Sequence, residues 1–185
     1  MTPPIVVCFS GRIAIGKTSI SKALARELNC PWTGFGDYVR AVAAKRGINA
    51  KDRDQLQRLG ESIIQEHGFE WFCREVIAVA NWKGNSPLVI DGIRHVEAFQ
   101  AIARLLASHK SVLIHLAIDS EETLRSRAAQ RGTDLSRRAA WETHSTEQQV
   151  LAMLPSIADL IVPADLPLDE ITARILRYVT RTIQK

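Results

Sequence analysis

Apolar residues follow two rhythms along this chain. Uninterrupted runs rich in Val and Ile occur at IVVCFS (5–10), PLVID (87–91) and SVLIHLAI (111–118); runs of this kind mark strands buried on both faces of a parallel sheet. WTGF (32–35) and DLIV (159–162) predict two further strands. Between them the apolar residues return every three or four positions: Ile20, Ala23, Leu24 and Leu28; Leu56, Leu59, Ile63 and Ile64; Phe72, Val76 and Val79; Val96, Phe99, Ile102 and Leu106; Leu168, Ile171, Ile175 and Val179. Each set gives a helix one buried stripe. Strands alternating with helices predict an α/β fold, a five-stranded parallel sheet flanked by helices.

Two stretches exceed what such a sheet needs. A parallel crossover takes about a dozen residues and one helix, yet residues 37–86 have room for three helices, with breaks at Gly47 and Gly68. Residues 131–149 are irregular and carry Arg131, Arg137 and Arg138. Both are expected to lie over the carboxyl edge of the sheet, where open α/β sheets bind ligands: residues 37–86 as a helical insertion, 131–149 as a short lid on a single domain spanning 1–185.

Composition narrows the class without changing it. The chain has 185 residues, 46% of them hydrophobic, enough for one buried core. No apolar stretch approaches a membrane span, and the start MTPPIVVCFSG has neither a basic leader nor a small-residue cleavage site, so a soluble cytoplasmic protein is expected. Three scattered cysteines, Cys8, Cys30 and Cys73, suggest neither disulfides nor a zinc site. The net charge of +4 rests on Arg more than Lys, which suits phosphate ligands. No basic run or stacking array argues for nucleic acid.

The chemistry begins at FSGRIAIGKTS (9–19). Gly11 to Thr18 read G-x-x-x-x-G-K-T between a predicted strand and a predicted helix, the context in which a loop grips phosphate with backbone amides. Gly11, Arg12, Ile13, Ala14, Ile15, Gly16, Lys17, Thr18 and Ser19 are therefore the candidate ATP-binding residues. Lys17 is expected to reach the β- and γ-oxygens and Thr18 to hold Mg²⁺. Arg12 to Ile15 deny the loop glycine freedom in its middle. Asp91 ends a predicted strand on the same edge, where a carboxylate would orient the metal; an ordinary turn residue is the plainer alternative.

With the loop, GFGDYVRAVAAKRG (34–47) and VIDGIRHVEAFQAI (89–102) resemble the P-loop nucleoside monophosphate kinase superfamily. The first is similar to the adenylate kinase segment Gly-Asp-x-x-Arg, the second to a shortened Asp-Gly-x-x-Arg. RDQLQRLGESI (53–63) resembles phage-type deoxynucleoside monophosphate kinases, and ADLIVPADLPLDEI (158–171) resembles the end of dephospho-coenzyme A kinases. The ordering with Asp-Gly-Ile-Arg is similar to uncharacterised archaeal relatives. The resemblance implies transfer of the γ-phosphoryl of ATP, with Mg²⁺, to a small phosphorylated acceptor: a nucleoside or deoxynucleoside monophosphate, or else dephospho-coenzyme A. It implies that Arg40 and Arg94 grip the acceptor phosphate, that Asp37 approaches acceptor or metal, and that Arg127 and Arg131 serve ATP and the transferring group.

Plainer readings stand beside these. Asp37 caps a helix as readily as it binds a ligand. Arg40 and Arg94 suit surface ion pairs, and Arg127 with Arg131 suits a solvated helix face. His115 falls within an apolar strand and reads as a satisfied core residue; His67 suits a helix end before Gly68. Phe35 stands where adenylate kinases carry Thr, and the long lid with its metal cysteines is missing, which weakens adenosine monophosphate as acceptor. From another class, a switch protein that hydrolyses ATP slowly would use the same loop without a second phosphate site.

Overall fold

The computed structural model describes residues 4–118, 122, 126 and 148–184. Arg127, Arg131, Arg137 and Arg138, and the expected lid apart from 148 and 149, lie outside the described residues. Strands β1 (Ile5–Gly11), β2 (Trp32–Gly34), β3 (Leu88–Ile93), β4 (Lys110–Ala117) and β5 (Leu160–Pro163) form a parallel sheet in the order β2-β3-β1-β4-β5. Helices α1 (Lys17–Glu27), α2 (Phe35–Lys45), α3 (Arg53–Val79), α4 (Val96–Leu105) and α5 (Leu168–Ile183) cover it. The five-stranded α/β architecture expected from the apolar rhythms is the one observed.

β1 lies at the centre, and its alternating side chains feed two cores. Val6 and Cys8 enter the layer made with α2, α3 and α4; Ile5, Val7 and Phe9 enter the layer made with α1 and α5. All five are at most 1% exposed. Each such apolar side chain contributes roughly 1.5–3 kcal/mol on burial, so the central strand is firmly held on both faces. Its end, where Gly11 opens the loop, inherits that rigidity.

Strand register then fixes the edge. Gly34 of β2 and Phe9 of β1 both pair with Asp91 of β3. The β1–β3 register shifts between Phe9 and Ser10, beside Gly92 at φ 92°. The chain leaves β2 straight into α2, with extended Gly34 as the N-cap and no side-chain cap bond. Asp37 therefore lies inside the first turn of α2, and the cap reading for it does not hold.

The 37–86 stretch is built into the core rather than laid over it. Phe35, Val39 and Ala43 of α2 and Leu59, Ile63, Phe72, Cys73 and Val76 of α3 are all buried in the first layer. Thr33 donates to the Val76 carbonyl at 2.9 Å and the Cys73 thiol to that of Ala98 at 3.4 Å, so the second half of α3 is tied to β2 and α4. The two expected breaks are present: Gly47 has φ 68° just beyond α2, and Gly68 divides α3 with φ 80° and ψ 167°. His67 precedes this kink and stacks on Trp71 with ring centroids 4.2 Å apart.

Gly68 occupies a backbone region that side chains other than hydrogen rarely enter, while a Cβ there would meet nothing within 4 Å. The cost of substitution is therefore conformational alone. Gly68→Ala and Gly68→Asn are both expected to lower the urea-unfolding free energy by about 1–3 kcal/mol. Asn tolerance equal to Gly would contradict this, since it would indicate an ordinary left-handed turn.

Candidate active site

The phosphate loop reaches its shape without the glycines that its middle lacks. Gly11, Ala14 and Gly16 have φ of 139°, 63° and 104°. Ala14 thus holds a left-handed conformation at a cost of about 1–2 kcal/mol. Ile15 is fully buried in the α1–α5 layer, which pins the loop to the core and offsets that strain. Gly11 is required by space as well as by φ: a Cβ there would lie 2.6 Å from the Leu116 carbonyl oxygen. Gly16 caps α1, so the positive end of the helix opens onto the loop.

Lys17 and Thr18 follow at the first turn of α1. The Lys17 ammonium donates to the carbonyls of Gly11 at 2.6 Å and Arg12 at 2.7 Å, so the side chain lies back along the loop. The Thr18 hydroxyl donates to Asp91 Oδ2 at 2.7 Å. Asp91 is 6% exposed, and its Oδ1 has no hydrogen-bond partner among the described residues. Burial pushes the Asp91 carboxyl up from its ordinary range; Lys17, the Thr18 hydroxyl and Arg94 pull it back, and Asp37 adds to the rise.

An oxygen pair with one orphaned buried carboxylate atom fits a hard divalent cation. Among the described residues no group of three or more His, Cys, Asp or Glu gathers as an all-protein metal site. Thr18 and Asp91 alone suit Mg²⁺, which takes few protein ligands when phosphates and water supply the others. The turn-residue alternative for Asp91 does not explain its burial against Thr18.

A cavity of about 360 Å³ extends from this pair toward α2 and α3. Lys17, Thr18, Asp37, Arg40, Asp91 and Arg94 all line it, so six residues from three separate motifs meet there. Arg40 is ion-paired with Asp37 one turn away on α2, both about half exposed. The Arg40 guanidinium also lies 3.4–3.5 Å from where a Gly36 Cβ would stand, an ordinary van der Waals contact. Arg94 follows β3, and burial together with the charge of Arg53 brings its guanidinium down to about 10, against the pull of Asp91.

Several lining residues were given no role in the sequence, although four of them, Arg53, Gln57, Gly60 and Glu61, fall in the RDQLQRLGESI stretch. Arg53, Gln57, Gly60, Glu61 and Ile64 recur every three or four positions and present one face of α3 to the cavity. Phe35, Phe69 and Phe72 give it an aromatic wall: Phe35 and Phe72 meet edge to face with centroids 5.0 Å apart, and Phe69 packs on His95 at 5.1 Å. The helical period of the polar α3 residues was visible in the sequence. Their facing was not, because Arg53, Gln57 and Glu61 read equally well as a solvated stripe.

His115 is the core residue that its strand position suggests. Its Nδ1 is 2.8 Å from the Ser10 hydroxyl, and burial, followed by Lys17, brings the imidazole down to about 4. Asp159 of the ADLIV stretch accepts from the Leu113 amide at 2.7 Å, a structural clasp between β4 and the approach to β5. Trp32 donates to Ser21 at 2.9 Å beneath the Lys22 ammonium, 4.3 Å from the ring centroid.

The AAA domain family model matches residues 7–150. The chain is 25% identical over 182 residues to a UPF0200 protein of Hyperthermus butylicus, covering 96% of this chain and 94% of that one. It is 30% identical over 139 residues to a UPF0200 protein of Methanothrix thermoacetophila, covering 70% and 68%. Among solved structures it is similar in fold to shikimate kinase from Acinetobacter baumannii in complex with shikimate, with TM-score 0.57, 14% identity and coverage of 100% and 97%. A gluconokinase from Sinorhizobium meliloti matches with TM-score 0.54, 18% identity and coverage of 99% and 94%. The fold is that of the P-loop kinases.

Two expected outcomes follow from the buried charges. Asp91→Asn removes a charge that burial disfavours, so the unliganded protein should gain stability at pH 7 while ATP turnover falls on the order of 100-fold or more. Urea midpoints and turnover of the same variant check this, and a destabilised, active variant would contradict it. His115 is held neutral in the fold, so its contribution is intact above the unfolded value near 6.5 and lost as pH falls toward about 4. Stability should drop over that window by on the order of 3 kcal/mol, and His115→Gln should flatten that part of the profile.

Proposed function

We propose that this chain, which belongs to the AAA domain family and to the UPF0200 proteins, is an ATP- and Mg²⁺-dependent phosphotransferase acting on a small anionic acceptor. The observation that carries the reading is the sharing of one cavity by the phosphate loop and by Arg40 and Arg94 from two other elements. A slow nucleotide switch has use for the loop and none for a second anion site. Within the phosphotransferase reading, a nucleoside or deoxynucleoside monophosphate is the acceptor that the Gly-Asp-x-x-Arg and Asp-Gly-Ile-Arg stretches favour, and the aromatic wall offers its base an apolar seat.

In this scheme the loop amides and the N-terminus of α1 hold the β-phosphate, and Lys17 leaves the Gly11 and Arg12 carbonyls to bridge the β- and γ-oxygens. Mg²⁺ held by Thr18 and Asp91 would neutralise charge on those phosphates. Arg94 sits three residues beyond Asp91, so one strand end presents both the metal carboxylate and the acceptor guanidinium. Asp37, held by Arg40, faces the same space and can orient the attacking oxygen. A phosphate acceptor needs little help from a base, since its oxygen is already anionic, and positioning supplies most of the acceleration. The first half of α3 carries Arg53, Gln57 and Glu61 to the cavity, and a change of bend at Gly68 would bring this wall toward the acceptor. Arg127 and Arg131 complete the proposal as donor-side charges.

The test is an ATP-consumption screen across nucleoside monophosphates, deoxynucleoside monophosphates and dephospho-coenzyme A, repeated with Arg94→Ala. Turnover should rise sharply with one acceptor class. In the variant, acceptor kcat/KM should fall by roughly ten- to a hundredfold while the ATP dissociation constant hardly moves. A flat screen would favour the switch, and an equal loss of both constants would take Arg94 out of the acceptor site.

A further inference from the structure

Helix α4 starts without a local cap. The first amides of a helix have no partner within it, and a short Ser, Thr, Asp or Asn at the N-cap usually answers one of them. Here the N-cap is His95, which makes no side-chain cap bond. Its imidazole is committed elsewhere: it packs on Phe69 of α3 with ring centroids 5.1 Å apart, and with Arg94 it lines the cavity. The missing acceptor comes instead from a residue 53 positions away, where Gln149 Oε1 accepts from the Val96 amide at 2.9 Å.

Gln149 reaches α4 from a fixed place. It opens a π-helical turn, Gln149–Met153, and its own carbonyl accepts from the Leu154 amide at 2.9 Å. Turns of this kind are rare and collect at functional sites. Val150 and Leu154 are both fully buried in the core layer that also holds Ile93 and Ala98, so the main chain of Gln149 is anchored while its side chain holds α4. Arg94 and His95 therefore lie between two fixed points. Ile93 before them pairs with Ser10 in the β1–β3 ladder, and Val96 after them is bonded to Gln149. We infer that Gln149 is a positioning residue for the cavity: it pins the α4 end of the Arg94–His95 step, so that both side chains form a wall before any ligand arrives. A preformed wall binds more tightly because less freedom is lost on binding. The inference rests on the phosphotransferase reading only in calling the occupant of the cavity an acceptor.

Three substitutions separate positioning from plain helix capping. Gln149→Met keeps side-chain length and helix propensity but cannot accept from Val96, whereas Gln149→Glu accepts and suits the positive helix end. Phe69→Leu removes the ring beside His95 and supplies the reference for an unstacked imidazole. The first readout needs no acceptor: the imidazole proton shifts of His95, by NMR at pH 8, where burial leaves the ring neutral. In Gln149→Met they should move toward the Phe69→Leu values, and in Gln149→Glu they should stay with wild type. The second readout is turnover of Mg·ATP with the common ribo- and deoxyribonucleoside 5′-monophosphates. For the one most used, KM should rise about three- to tenfold in Gln149→Met, with kcat and the ATP dissociation constant unchanged, and return to wild type in Gln149→Glu. Urea midpoints give the folded fraction to which both readouts are referred, and Gln149→Asn, too short to reach Val96, replaces the Met variant if that one does not fold. A cap with no further role would lower the midpoint of Gln149→Met and leave the shifts or KM at wild-type values, which would overturn the inference. A Glu variant behaving like the Met variant would overturn it too. If the shifts move but wild type turns over no monophosphate, the positioning stands and the proposed activity falls.

Discussion

A carboxylate buried where strands end raises the free energy of a protein unless something answers its charge. Asp91 is such a carboxylate, held inside by the register of β3 between β1 and β2 and satisfied on one oxygen by Thr18. The rest of the site is arranged around that unbalanced charge. Lys17 and Arg94 lie near enough to favour its ionised form, and they belong to the loop and to the strand end on its two sides. A protein selected for stability alone would place an apolar residue here. Retaining the acid makes sense where a cation and phosphates are to complete the balance.

The fold supplies the precision this arrangement needs. β1 is packed on both faces, so the loop that follows it starts from a fixed point, and Ile15 returns the loop to the core four residues after Gly11. The anchored half of α3 is bound to β2 and α4 through Thr33 and Cys73, whereas the half before Gly68 carries Arg53, Gln57 and Glu61 to the cavity. Under the proposed function, rigidity at the phosphate loop and a backbone break in α3 would suit phosphoryl transfer, which needs fixed phosphates at one end and a wall that excludes water at the other.

Much of this was legible before any coordinates. Long apolar runs mark strands buried on both faces, so β1, β3 and β4 stood out, and the glycine and lysine spacing placed the loop between strand and helix. Asp91 stood out because strand ends on the loop's side are where such sheets bind ligands, Arg94 through the resemblance of VIDGIRHVEAFQAI, and both line the same cavity. Asp37 was harder: an acid at a helix start caps or binds with equal sequence support, and only the unbroken passage from Gly34 into α2 decides against the cap. Arg53, Gln57 and Glu61 lie in the RDQLQRLGESI stretch, but that they face the cavity was not legible, for a physical reason. Their period is helical, but a polar helical stripe signals solvent as readily as a ligand, and which it faces depends on the bend at Gly68 and on packing distant in sequence.

In the proposed function two phosphate sites face each other across one cavity and pass a phosphoryl group between them. The most direct measurement follows the phosphorus itself, by ³¹P NMR of the protein with Mg·ATP and the nucleoside monophosphate that most stimulates turnover. The account expects a new pair of coupled diphosphate resonances from the acceptor, growing in step with ADP and without a matching rise of inorganic phosphate. Inorganic phosphate growing in step with ADP, with no diphosphate formed on the acceptor, would contradict it.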